Sequence, residues 1–334
     1  MTRFLALLPV ALVAVLLALA PAGAQQTSDP TKVNPTTAAV KEEALLNALQ
    51  RLDGRITIPD QKAGVLIQPA GQSWRDFHQT TLPWIGAIAI LGMVAVLAIF
   101  YLVRGRIPIR GGRSGRTITR FNAVERFAHW LSASTFVVLA ITGLNITFGK
   151  ALLLPLIGPE AFTAFSQWGK YAHNYLSFAF ALGVVLILVL WIKDNIPGRI
   201  DVEWFKAGGG LVGDRHPASR RFNGGQKLIF WIVVIGGIAA SVTGFLLMFP
   251  FYATGIEGMQ VAQVIHAIVA VLFIAVMLGH IYIGSLGMEG AFEAMGSGEV
   301  DLNWARDHHG LWVEEQMAKG RTTPPPGAHA SAAE

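Results

Sequence analysis

Five long apolar runs dominate this sequence and leave it few ways to fold. They lie near residues 84–103, 127–148, 175–192, 228–249 and 261–283. Each is long enough to cross a hydrocarbon core of roughly 30 Å as an α-helix, and a helix satisfies its own backbone hydrogen bonds inside lipid. Only 14% of the residues are charged and 53% are hydrophobic, unlike a soluble globular domain. The predicted fold class is therefore an all-α integral membrane protein.

The connections between these runs differ in charge, and the difference sets their orientation. Residues 104–126 hold seven arginines and one glutamate, and residues 193–227 hold seven basic residues. The other two connections, 149–172 and 251–260, hold two lysines and no basic residue, respectively. Because basic loops stay in the cytoplasm, the first span is predicted to run inward and the C-terminus to be cytoplasmic.

The first 24 residues have the order of a secretory signal peptide, with Arg3, an apolar run and a small-residue cleavage site ending at Ala24. An uncleaved anchor helix is the alternative. The chain is then predicted to contain an exported periplasmic segment (25–82), an extra transmembrane helix (83–104), a basic cytoplasmic linker (105–126), a four-helix domain (127–285) and a cytoplasmic tail (286–334). The predicted location is the bacterial inner membrane, and the tail is expected to be disordered from Thr322.

The composition excludes several kinds of cofactor and partner. The chain has no cysteine, so disulfides, thiolate-held iron-sulfur clusters and covalently attached c-type haem are ruled out. The net charge of +5 comes from arginines beside the apolar runs, which is typical of topology signals, and no nucleic-acid partner is expected. A redox centre would need histidine or methionine ligands.

Four of the nine histidines lie within the spans or at their ends: His129, His173, His266 and His280. A histidine in a span is costly unless it is partnered, which makes each a candidate site residue. His266 and His280 are 14 residues apart, about 21 Å along one face of a helix. The topology puts His173 at the depth of His266 and His129 at the depth of His280. We predict two bis-imidazole haem b sites in a four-helix bundle, used for electron transfer.

Other interpretations of these residues stay open at this point. A single histidine could be a hydrogen-bonded core residue, and a zinc site would lack the cysteine or carboxylate ligands that usually complete it. The pairs Thr142-Gly143 and Thr243-Gly244 could admit a flat macrocycle or another helix. The remaining histidines lie in polar sequence and are interpreted as surface residues: His78, His216, His308, His309 and His329.

A polar loop precedes the fourth run at the level of the inner histidines. It reads Arg-Arg-Phe-Asn-Gly-Gly-Gln-Lys over 220–227. Such a loop could line a pocket for a quinone head group, whose carbonyl oxygens need donors. The alternative is a simple helix-start turn with snorkelling basic residues.

With these motifs in place, the chain resembles the cytochrome b (gamma) subunit of membrane-bound, quinone-linked formate dehydrogenases. The resemblance rests on the sequences at 126–130, 172–174 and 222–227 and on the His266 and His280 pair. It runs from about 119 to 309 and includes the His308-His309 pair. Residues 1–118 have no counterpart in the short form of the family, so their role stays open.

The resemblance implies a four-helix di-haem bundle, with one additional N-terminal helix in this chain. His173 and His266 would hold the outer haem b, and His129 and His280 the inner one. Asn223, Gly225 and His280 would form the site of a quinone, either menaquinone or ubiquinone.

The resemblance also implies partner subunits. Electrons would come from an iron-sulfur (beta) subunit outside the cytoplasm, which receives them from a catalytic (alpha) subunit containing molybdenum or tungsten. No formate-oxidising residues are expected in this chain, whose other partners would be quinone and membrane lipid.

Several rival functions are compatible with a histidine-bearing bundle. Cytochrome b subunits of nickel-iron hydrogenases and thiosulfate reductases share the architecture. A histidine-relay transporter would need carboxylates within the spans, which contain essentially none. A passive membrane anchor would hold no haem.

Overall fold

The computed structural model describes residues 69–210 and 217–320. The predicted signal peptide, most of the predicted exported segment and the C-terminal residues from Thr322 lie outside the described residues, as do His216 and His329. Within the described ranges, five helices are long and apolar enough to cross a membrane, judged by length and composition. The predicted all-α membrane class is confirmed.

The helices in chain order are α1 (Pro69–Asp76), α2 (Leu82–Arg104), α3 (Ala123–Leu152), α4 (Leu154–Trp191), α5 (Arg199–Lys206), α6 (Gly224–Met248), α7 (Ile256–Tyr282), α8 (Glu293–Gly296) and α9 (Leu302–Ala318). Two short strands are β1 (Thr117–Thr119) and β2 (Glu299–Asp301). A π-helical segment, Phe77–Thr81, joins α1 to α2. The first span therefore continues a helix that begins at Pro69, ahead of the predicted start at residue 83.

Four of the spans, α3, α4, α6 and α7, form the bundle. Helix α3 packs along α4, α6 packs along α7, and α4 joins the two hairpins through its contact with α6. We call the end of the bundle next to the arginine-rich connection the basic end. The opposite end, where α3 leads into α4 and α6 into α7, is called the loop end.

Helix α2 stands outside the bundle and packs mainly against α7. Only 6% of the residues in its apolar stretch are buried, against 22–33% in the other four spans. Large apolar side chains such as Trp84, Leu91 and Leu102 are exposed along it, as expected for a helix facing lipid. Its packing shields one side of the helix that carries His266 and His280.

The loop-end turn between α3 and α4 is very short. A single residue, Leu153, separates the two helices, and the true change of direction comes at Gly158, whose φ is +78°. Glycine adopts this left-handed conformation without a Cβ clash, and Pro159 then starts a new helical direction because it has no N–H to continue the previous one.

The basic end is closed by a compact unit that we call the cap, formed by residues 105–122 and 288–320. Strands β1 and β2 pair in antiparallel register, with Ile118 opposite Val300. Their apolar side chains join Trp304 and Trp312 in a buried cluster that continues into α4 and α6. The segment predicted as the cytoplasmic tail (286–334) thus includes, up to residue 320, helices α8 and α9 and strand β2.

Candidate functional site

The four histidines of the spans lie as two pairs of facing rings. The ring centroids of His129 on α3 and His280 on α7 are 6.2 Å apart near the basic end. Those of His173 on α4 and His266 on α7 are also 6.2 Å apart, nearer the loop end. As whole residues, three of the histidines are half-buried and His280 is exposed. The structure therefore brings together the residues that depth alone predicts to be neighbours.

The spacing of each pair fits two imidazoles on one metal ion. Two metal–nitrogen bonds of about 2 Å, plus the roughly 1 Å from each nitrogen to its ring centre, give about 6 Å between ring centres. The described residues contain no group of three or more metal-ligating side chains, which a closed zinc site would need. A planar metal group with two axial histidines, such as haem, fits this donor set.

At the loop end, each histidine ring is held by a threonine of the preceding helix. The hydroxyl of Thr142 lies 2.8 Å from Nδ1 of His173, and that of Thr243 lies 3.0 Å from Nδ1 of His266. The carbonyl of Ala240 is a further 3.1 Å neighbour of the His266 nitrogen. Both rings are thus oriented through Nδ1.

The glycine after each threonine lies against the same ring. A Cβ at Gly143 would be 3.5 Å from Cε1 of His173, and one at Gly244 would be 3.2 Å from Cε1 of His266. The first distance is ordinary contact, whereas the second is tighter than most real contacts. A side chain at position 244 would therefore crowd the His266 ring more than one at position 143 would crowd the His173 ring.

At the basic end, the histidines have different surroundings. The Nδ1 atom of His129 is buried and has no hydrogen-bond partner among the described residues. The neighbouring Trp130 packs edge-on against the His129 ring, and its Nε1–H donates to the carbonyl of Met295 at 2.8 Å. The cap therefore fixes the start of α3 next to the pair His129 and His280. Among the described residues, no hydroxyl is hydrogen-bonded to Nδ1 of His129.

Three phenylalanines fill the bundle between the two histidine levels. Phe136 and Phe273 lie 4.8 Å apart between ring centroids, and Phe180 is 6.3 Å from each. Phe273 lies two helical turns from both histidines of α7. The sequence interpretation did not single them out, because apolar residues in an apolar span carry no pattern of their own.

Asn223 and Gly225, the predicted quinone-site residues, lie at the start of α6. Asn223 caps the helix by accepting from the N–H of Gln226 at 2.9 Å, and the Gln226 side chain accepts from the N–H of Asn223 at 3.2 Å. A Cβ at Gly225 would meet the ring of Trp204 at 2.8 Å. Both residues thus have structural roles, and their quinone-binding role stays a prediction.

The interpretation of His308 and His309 as surface residues is wrong. His309 is fully buried and His308 nearly so. Nδ1 of His309 lies 2.9 Å from the carbonyl of Arg220; since a carbonyl only accepts, this nitrogen donates. Burial, with Arg120 and His308 nearby, holds the pKa of His309 well below its ordinary value. The signal was missed because the burial depends on pairing between distant segments.

The cap also buries charged groups that join the spans. Arg120 donates to the carbonyl of Arg221 at 2.7 Å and lies over the rings of Phe121, Trp304 and Trp312; burial lowers its pKa to about 9, helped by Arg221. Arg221 in turn donates to Glu125 at 2.6 Å. These contacts connect three parts of the protein: α3, α9 and the loop that precedes α6.

A second set of contacts fixes α5 against α6. Lys227 donates to Asp201 at 2.9 Å in a buried ion pair and to the carbonyl of Ile196 at 3.1 Å. The basic residues of the polar loop and of the start of α6 are therefore largely occupied by contacts within the protein.

Comparison with known proteins extends across the bundle. The model of a family described as prokaryotic cytochrome b561 matches residues 120–298. The chain is 29% identical over 203 residues to the formate dehydrogenase cytochrome b556(fdo) subunit of Escherichia coli K12, covering 60% of this chain and 93% of that one. It is 27% identical over 206 residues to the nitrate-inducible formate dehydrogenase cytochrome b556(Fdn) subunit of the same strain, covering 60% and 92%. A formate dehydrogenase cytochrome b556 subunit of Haemophilus influenzae is 24% identical over 209 residues, covering 60% and 84%.

Proposed function

The chain belongs to the prokaryotic cytochrome b561 family, and from that premise we propose that it is the di-haem membrane subunit of a formate dehydrogenase. As a cytochrome b with five apolar spanning helices, it anchors its complex in the membrane. The formate dehydrogenase assignment rests on the cytochrome subunits to which it is similar over most of their length.

The observation that carries the proposal is the pair of histidine couples, each with ring centres 6.2 Å apart. His173 with His266 would hold one haem b, and His129 with His280 the other. A haem with two imidazole ligands exchanges single electrons and leaves no coordination position open to substrate. The bundle is thus suited to electron transfer, and formate oxidation belongs to another subunit.

The direction of transfer follows from the predicted topology. The loop end faces the periplasm, where an iron-sulfur subunit delivers electrons taken from a molybdenum- or tungsten-containing catalytic subunit. The basic end faces the cytoplasm, where a quinone is reduced beside His280, Asn223 and Gly225. Inward electron movement with proton uptake from the cytoplasm would build membrane potential. A hydrogenase or thiosulfate reductase partner would use the same bundle. The enzyme that copurifies with the chain in its native complex distinguishes these partners from a formate dehydrogenase.

Spectroscopy of the purified full chain tests the proposal. We expect reducible b-type absorption and two haems per chain, and we expect the native complex to reduce a quinone analogue with formate. A chain with no reducible haem would be a passive anchor. One that holds two haems but copurifies with a hydrogenase would keep the electron-transfer role and lose the formate assignment.

A further inference from the structure

The threonine-histidine contacts at the loop end repeat in both hairpins of the bundle. We propose that Thr142 and Thr243 are positioning residues that select the ring tautomer of His173 and His266 and lower the reduction potential of the haem held there. The inference rests on the proposed di-haem function.

The direction of each hydrogen bond follows from the single hydrogen on a hydroxyl. The Thr142 hydroxyl lies 2.8 Å from the carbonyl of Val138, one turn earlier on α3. The Thr243 hydroxyl lies 2.7 Å from the carbonyl of Ala239 on α6. A carbonyl cannot donate, so each hydroxyl hydrogen goes to its own helix. The hydroxyl oxygen is then left to accept from the histidine.

The tautomer of both histidines follows from this direction. Nδ1 carries the hydrogen, and Nε2 keeps its lone pair for a metal. The backbone supports the same assignment at His266, because the carbonyl of Ala240, three residues before Thr243, lies 3.1 Å from its Nδ1 and a carbonyl only accepts. Two acceptors therefore fix the His266 ring, and the Thr142 hydroxyl fixes the His173 ring, each with Nε2 as the free nitrogen.

A hydrogen bond donated from Nδ1 changes the ligand as well as holding it. It increases the electron density on the ring and makes Nε2 a stronger donor, which favours the oxidised iron and lowers the reduction potential. At the basic end, Nδ1 of His129 has no partner among the described residues. We therefore expect the loop-end haem to have the lower potential, so that electrons pass downhill toward the basic end.

The chain offers a matched control on the same helix. Thr135 is fully buried, and its hydroxyl lies 2.6 Å from the carbonyl of Leu131 and 3.1 Å from that of Ser132. No histidine contact to this hydroxyl is found in the described part of the chain. Thr135→Val thus removes a buried hydroxyl that bonds in the same way to its helix but does not reach a ring.

The test is a redox titration of the full haem-loaded chain in detergent, followed by absorption, with low-spin ferric EPR as a second readout. Thr142→Val should raise the potential of one haem, the one that is lost in His266→Ala, and leave the other unchanged. Thr142→Ser keeps the hydroxyl and should restore the wild-type value. Thr243→Val should shift the same haem in the same direction, and Thr135→Val should shift neither.

The outcomes separate this inference from the function it rests on. Selective loss of the loop-end haem in Thr142→Val, with both haems retained in Thr142→Ser and Thr135→Val, would also support positioning. Two haems with unmoved potentials in Thr142→Val, or equal shifts in Thr135→Val, would overturn the inference alone. A wild-type chain without two reducible haems would overturn the proposed function and this inference with it.

Discussion

At the scale of single residues, each histidine depends on the ring that faces it across the bundle. The His173 and His266 rings share one level, and the His129 and His280 rings share the other. In the proposed haem sites, replacing one ring would leave its partner as the sole ligand. The four replacements would therefore sort into two classes by the haem that each removes.

We expect His173→Ala and His266→Ala each to lose the same single haem and to retain the other, whereas His129→Ala loses the other one. The haem content per chain shows whether one haem is lost, and the shape of the reduced absorption band shows which haem remains. Loss of one and the same haem from His173→Ala and His129→Ala would contradict the pairing.

His309 should make the stability of the chain depend on pH. Its folded-state pKa lies well below the ordinary value because of burial, so below about pH 6.5 the unfolded chain binds a proton that the folded chain excludes. The contribution of this residue is complete above that pH and is lost as the pH falls toward the folded pKa, by at most about 1.4 kcal/mol per pH unit.

The measurement is the thermal unfolding midpoint between pH 7.5 and 5.5 for the wild type and for His309→Gln. The variant keeps a side-chain donor for the carbonyl of Arg220 but does not titrate, so its midpoint should fall less steeply with acid. Equal slopes for the two proteins would rule out this contribution.

Sequence spacing predicts which histidines face each other but not what holds their rings. The 14-residue separation of His266 and His280 follows from helix geometry alone. The Thr142 and Thr243 contacts depend on the rotation of one helix against the next, which a single sequence does not encode visibly. His309 was misread for a similar reason, because its neighbours Arg120 and Arg220 are far away in the chain.

At the scale of helices, Gly183 lets α3 and α4 approach each other closely. A Cβ at Gly183 would meet Oγ of Ser132 and would lie 3.1 Å from its Cα and N. Because backbone atoms cannot move aside as a side chain can, the two helices would have to separate.

Gly183→Ala is therefore expected to destabilise the bundle by about 1–3 kcal/mol, the usual cost of overpacking. Gly92→Ala on α2 is the matched control, since a Cβ there meets nothing within 4 Å. Thermal unfolding in detergent measures both. A stability of Gly183→Ala at or above that of Gly92→Ala would show that the helices accommodate the methyl group.

The spans were predictable because lipid leaves the backbone no alternative to a helix, and hydropathy reports that requirement directly. The helical residues ahead of α2 were not predictable from hydropathy, because their mixed polarity gives no clear apolar run. Strands β1 and β2 are three residues each, which is too short for an alternating pattern to be recognised.

At the scale of the whole molecule, the charge pattern of the connections predicts that the basic end and the C-terminus face the cytoplasm. A fluorescent protein that matures only in the cytoplasm should be bright when it is fused after Glu334. The same reporter fused to a chain truncated after Ala253, in the connection between α6 and α7, should be dark. A periplasm-specific phosphatase reporter should give the reverse result, and the opposite pattern would invert the proposed direction of electron flow.

The β1–β2 pair has a consequence for how the protein is made. Thr117 leaves the ribosome long before Glu299, to which its side chain is hydrogen-bonded across 182 residues of sequence. All four helices of the bundle are therefore synthesised before the strand that closes the cap. The cap can close only after the bundle helices have been synthesised, and a chain interrupted before residue 299 would contain all four histidines of the spans yet leave β1 without a strand to pair with.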